Sequence, residues 1–351
     1  MAPSHDIRER LEAFWAGEQP GLIPFTIYQN EWRHTQDDPA WGDLLARGMG
    51  VTWHVSTVEQ VPSTDIQFSR ETRAADDQVL ERRCIRTPVG EIEERYADGW
   101  RREFYLKSAV DYAVMRYVVE HTALQPDYDT YWGRVAQIGP HAVALVMLGR
   151  TPLQTILVDW VGVEQFGLHL ADMRDEMMAL YEALLVSFRR RTELAAEGPG
   201  RFVSVLENFT SDTLDPRRYR ELLLPVYEEC FPMLREAGKV VGTHYDGQLA
   251  ACAGLIAQAP IDAIESFTPP PEGDMTLAEA RAIWPEKLLW SNINVACYNM
   301  PADELKALVW RRIAEGASDG RRLAFEVSEQ YPENWRTSLH IVLDALEEAR
   351  T

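Results

Sequence analysis

Cysteine is scarce in this sequence: Cys84, Cys230, Cys252 and Cys297 are the only four in 351 residues, and no two form a CxxC pair. That spacing supports neither a disulfide framework nor a zinc site built from thiolates alone, and it fits a reducing compartment, so a cytoplasmic protein is expected. Positive charge is also short. Lysine and arginine number 35 against 55 acidic residues, a formal charge of −20. A chain this acidic repels phosphates and anionic lipid, so neither nucleic acid nor membrane is an expected partner. Long apolar runs are missing as well. A membrane helix needs roughly 18 consecutive apolar residues, and the most apolar segment, AVALVMLGRTPLQTILVDW, is broken by Gly149, Arg150 and Asp159. The opening MAPSHDIRERLEAFWAGEQPG carries charge where an export signal would be apolar, and it places Ile7, Leu11 and Phe14 on one helical stripe. No GxGxxG, Walker loop, GxSxG elbow or HExxH occurs, which removes the motif-level case for the enzymes built on them.

What is present is a repeated alternation of short apolar runs with longer amphipathic segments, the pattern of a parallel sheet with crossover helices. The later strands are expected at 202–209, 239–246, 263–268, 287–294 and 322–328, and the earlier ones at 22–28, 51–56 and 142–148. Helical patterns follow the later strands at 215–237, 248–258, 276–284, 302–315 and 335–349, with Asp215 and Thr276 where N-caps belong. About eight parallel strands in a chain of this length predict one α/β domain over 1–351, a (β/α)8 TIM barrel. Between residues 57 and 105 the pattern changes to alternation around turns such as TPVG, which predicts an antiparallel hairpin insertion after the second strand, at the C-terminal rim of the barrel.

In such a barrel, chemistry sits at the C-terminal ends of the strands. His244 and Asp246 end one strand in GTHYDG, at a spacing that puts both on one face. Glu207, Glu265, Asn292, Asn294, Glu326 and Glu329 fall at the ends of neighbouring strands, and Tyr28 and His54 at the ends of the first two. Carboxylates gathered side by side call for a proton, a cation or a basic substrate. A purely structural role competes at every position: His244 can serve a neighbouring carboxylate, and Glu207 or Glu265 can pair with loop arginines. Cys297 reads as a small buried hydrophobe. Trp53, Trp32 and Tyr298 read equally well as pocket lining or packing.

The stretch VGTHYDGQL…PIDAIESFTPPPEGDMTLAEARAIWPEKLLWSNIN resembles the uroporphyrinogen decarboxylase superfamily, and the likeness covers about the last 150 residues. That resemblance implies a (β/α)8 barrel and one of two activities, decarboxylation or cobalamin-linked methyl transfer. The arginine-rich and GHG motifs of the haem-pathway decarboxylases are replaced here by TIYQNEWRH and NINVACYNM, with Arg33 the one arginine near the first. The zinc methyltransferases of the superfamily carry His-x-Cys where this chain has His244 and Asp246, and a later cysteine where it has Glu326 or Glu329. The resemblance therefore implies zinc held by His244, Asp246, Glu207 and Glu329, with His244, Asp246 and Glu207 as catalytic groups. Tyr28, His54, Glu265, Asn292 and Asn294 are the expected substrate contacts. A corrinoid on a partner protein is the expected co-reactant and a small methylated compound the substrate. A decarboxylase or lyase acting on a small carboxylate, or a non-catalytic ligand-binding barrel, is the alternative.

Overall fold

The computed structural model describes residues 6–75, 78–327 and 330–349. By its contacts the chain divides into two compact units, one comprising 1–57, 128–149 and 195–351, the other 58–127 and 150–194. The second unit thus takes in more than the 57–105 excursion predicted within a single domain. In chain order the strands are β1 Phe25–Tyr28, β2 Gly50–Val55, β3 Val58–Pro62, β4 Gln67–Ala75, β5 Gln78–Thr87, β6 Gly90–Ala97, β7 Trp100–Glu103, β8 Thr122–Pro126, β9 Ala142–Gly149, β10 Phe202–Val205, β11 Val240–His244, β12 Ala263–Phe267, β13 Leu288–Ile293 and β14 Leu323–Val327.

The first unit is the expected barrel. Its parallel strands close in the order β1-β14-β13-β12-β11-β10-β9-β2, and β1 joins the ends of the ring by pairing Phe25 with Phe325 on one side and Thr26 with Gly50 on the other. Most later strands are buried on both faces, as apolar runs between helices require. Asp215 and Thr276 cap their helices through side-chain bonds from Arg218 N and Glu279 N.

Helix α1 (Ile7–Trp15) closes the N-terminal end of the ring. Its Ile7, Leu11, Phe14 and Trp15 pack with Phe202, Val240, Ala263 and Leu288, the first residues of β10–β13. Phe14 meets Trp290 edge-on at 5.7 Å, and Trp15 stacks on Phe202 at 5.3 Å. Burying each large side chain contributes about 1.5–3 kcal/mol. Gly50 permits the approach, since a Cβ there would lie 2.2 Å from Ile7 Cγ1.

The second unit holds the antiparallel strands. β4-β5-β6-β7 form a meander in which Thr87 and Gly90 flank the TPVG turn, and β3 pairs with β8. No helix among the described residues is long and apolar enough to cross a membrane.

Candidate active site

Strand register brings the charged groups of the first unit together. His244, the last residue of β11, is the register partner of Glu265 on β12. Fully buried, Glu265 accepts hydrogen bonds from Ser204 Oγ of β10 at 2.9 Å and from the Tyr28 hydroxyl of β1 at 3.2 Å. Two imidazoles flank the same carboxylate, with His244 Nδ1 3.6 Å from Oε2 and His54 Nε2 3.6 Å from Oε1. The Tyr28 hydroxyl lies 3.1 Å from Glu326 Oε1 and 3.5 Å from His244 Nδ1. On the other side of the ring, Asp246 Oδ2 lies 3.6 Å from His244 Nε2 and accepts from Asn208 Nδ2 at 3.0 Å.

These neighbours sort the protons. Burial and the charge of Glu265 push the Glu326 carboxyl well above the carboxylate range, which favours its neutral form. Burial also acts on Glu265, but His244 and His54 outweigh it and hold that carboxyl far below the usual range. Asp246 is likewise lowered, because His244 and Asn208 overcome its burial. Burial alone would neutralise His244, yet Asp246 and Glu265 reverse it and raise the ring well above an ordinary imidazole. Burial and both glutamates keep the Tyr28 phenol protonated. A neutral Glu326 can donate to the Tyr28 oxygen while Tyr28 donates to Glu265, which gives each proton one acceptor. The product is an imidazole ring, His244, clamped between two carboxylates that favour its protonated form.

His244 faces a cavity of about 380 Å³ lined also by Tyr28, Gln29, Asn30, Glu31, His54, Met147, Leu206 and Asn208. Three of the predicted site residues therefore line it, Asp246 backs His244, and Glu265 anchors both imidazoles from beneath. Glu207 goes elsewhere. β10 ends at Val205, two residues before it, and Asn208 turns the chain with φ +47°. The Glu207 carboxylate accepts from the Tyr227 hydroxyl at 3.1 Å, in a buried cluster with Tyr245 and Tyr219. Asn292 braces β12 instead of lining the cavity: its Nδ2 donates to Ser266 Oγ at 2.8 Å and Thr268 Oγ1 at 2.9 Å. Ser266 has φ +58°, a strained position that this bond secures. Asn294 donates to Pro269 O at 3.1 Å and accepts from Arg312 at 2.6 Å. Trp53 is flanked by Arg33 and Arg134, 4.5 and 5.5 Å from its ring centre, and Tyr298 and Cys297 are buried.

Of the four zinc ligands implied by the resemblance, the structure unites only His244 and Asp246. Glu207 is held by tyrosine, and Glu329 lies outside the described residues. Among those residues no group of three histidine, cysteine or acidic side chains is placed to hold a metal, so the described donors do not fit zinc. Asn208, Ser204 and Gln29, whose Oε1 accepts from His54 N at 3.2 Å, complete the site without a sequence signal beyond their polarity.

No protein-family model matches the chain, and no curated protein matches it. Among solved structures it is similar to a methyltransferase from Methanosarcina mazei, with a TM-score of 0.58 and 12% identity over 98% of this chain and 99% of that one. A Bacteroides ovatus GH5 xyloglucanase, 8% identical over 85% of this chain and 97% of that one, reaches a TM-score of 0.30, too low to carry an argument. At these identities the likeness is one of architecture: the chain has a methyltransferase-like barrel fold.

Proposed function

We propose that this chain is a methyltransferase of the uroporphyrinogen decarboxylase superfamily, acting on a small methylated compound whose leaving heteroatom takes its proton from His244. The observation that carries the reading is the His244 ring between Asp246 and Glu265 at a cavity of about 380 Å³. When a methyl group leaves oxygen or nitrogen, the bonding electrons stay on the heteroatom, which becomes a far better leaving group if a proton arrives with them. His244 gives that proton, the acceptor's electron pair takes the methyl, and solvent restores the imidazolium. A corrinoid delivered by a partner protein supplies that electron pair when it docks. The superfamily assignment is supported by the GTHYDG and WSNIN segments together with the methyltransferase-like fold.

Charge supports a neutral donor, such as a methoxy compound, whose oxygen has room for the proton that His244 gives. Glu31 at the cavity, with Asp246 and Glu265 behind His244, repels a carboxylate, which counts against the decarboxylase alternative. The test incubates purified protein with reduced cobalamin and a panel of methoxy and N-methyl compounds, following methylcobalamin by absorbance. Turnover on one of them, lowered about 10²-fold or more in His244→Gln, is the expected result. No methyl transfer from any donor, with carbon dioxide released from a small carboxylate, would overturn it.

A further inference from the structure

A second cavity, about 690 Å³, lies at the opposite end of the barrel, among the starts of β11–β14 and the end of α1. Four cations line it. Two are neutralised, since Arg235 pairs with Asp262 at 3.1 Å and Arg322 with Glu286 at 2.8 Å. The other two make no ion pair among the described residues. Lys239 Nζ donates to Gly198 O and Gly200 O at 2.6 and 2.7 Å. Lys287 Nζ donates to Ala259 O and Ile261 O at 3.1 and 2.8 Å. Carbonyl dipoles occupy two of the three N–H bonds of each ammonium and leave the third for another acceptor. Burial pushes the Lys287 ammonium down to about 8, and the nearby Asp262 offsets only part of that shift. The cavity is lined by these four cations against three carboxylates, Glu236, Asp262 and Glu286, a local excess of positive charge in a chain of net charge −20.

We propose that this cavity is a binding site for a small dianion of the phosphate type, held between Lys239 and Lys287. Two charges match two ammonium groups, and tetrahedral oxygens can accept the third N–H of each. The cavity exceeds one phosphate in volume, so a small phosphate ester is the natural occupant and inorganic phosphate the probe.

Isothermal titration with inorganic phosphate, at ionic strength fixed with chloride, should show one site. Lys239→Met and Lys287→Met should each weaken binding at least tenfold. His244→Gln and Lys306→Met, the latter at a surface lysine paired with Glu348, should bind as wild type does. Because the two lysines also staple loops, Lys239→Arg and Lys287→Arg serve if the methionine variants do not fold, and these should stay within about threefold of wild type. No saturable phosphate binding by the wild type overturns the proposal. So does unchanged binding in the methionine variants, an equal loss in Lys306→Met, or a loss in His244→Gln that places the anion at the imidazolium. Succinate binding as tightly as phosphate would overturn the choice of a tetrahedral anion.

Discussion

Glu265 and Glu326 reach the same Tyr28 hydroxyl and are both fully buried, yet their partners drive them to opposite states of protonation. A carboxyl whose pKa rises on folding takes up a proton as the chain folds. Its favourable share is complete below the unfolded value of about 4.3 and is lost as pH climbs through the folded one. Glu326 is such a group. Glu326→Gln removes that proton uptake, so in urea unfolding the variant should gain stability on the wild type as pH rises from the unfolded value of about 4.3 toward the raised folded one. A constant gap across that interval would mean that Glu326 is ionised in the fold. Glu265 has the reverse sign: its share is present above the unfolded value and is lost only when pH falls through the depressed folded one. Glu265→Gln strips the carboxylate from between two imidazoles and should cost about 3–5 kcal/mol at neutral pH. It should also lower the imidazole pKa of His244, which a proton NMR titration of the ring would read. An unmoved His244 signal would assign the imidazolium to Asp246 alone.

At the scale of elements, the loop after β11 depends on a glycine for a reason that its sequence disguises. Asp246-Gly247 reads as a turn needing a left-handed backbone, but Gly247 is absent from the positive-φ positions. Close approach is what excludes a side chain, because a Cβ would sit 2.4 Å from Thr210 Cβ and 2.7 Å from Phe209 O. Gly247→Ala should therefore destabilise by about 1–3 kcal/mol through overpacking and displace Asp246 from His244. A neutral effect in denaturant unfolding would show that the 209–210 segment yields at no cost. The eight barrel strands and the caps at Asp215 and Thr276 are legible from apolar runs and spacing, because burial and capping act on residue type. Register is less so. The left-handed Asn208 and Ser266 leave no periodic mark, and they decide that Glu207 leaves the cavity and that Asn292 becomes a brace. A polar residue near a strand end looks the same in sequence whether it faces a ligand or supports a neighbour. α1 belongs with the legible part: its stripe at Ile7, Leu11 and Phe14 is buried as the spacing predicts. Leu11→Ala should cost about 2–5 kcal/mol in the same assay, and a loss below about 1 kcal/mol would mean that α1 contributes little to the core.

For the whole molecule, a net charge of −20 makes the folded chain repel itself, and salt relieves that repulsion. Raising sodium chloride from about 0.01 M to about 1 M shortens the screening length from about 30 Å to about 3 Å and should raise Tm by several degrees. A fall would show that local pairs such as Arg82–Glu93 outweigh the global term. The way α1 is seated also bears on biosynthesis. The helix leaves the ribosome before the strands that seat it, since its socket includes Leu288, Trp290 and Ala324, and the ring it closes is completed only when β14 reaches β1. A segment made ahead of the barrel strands is thus among the last to find its place. Through most of translation its apolar stripe remains without a partner, which makes the nascent chain a client for chaperones and any C-terminally truncated product prone to aggregate.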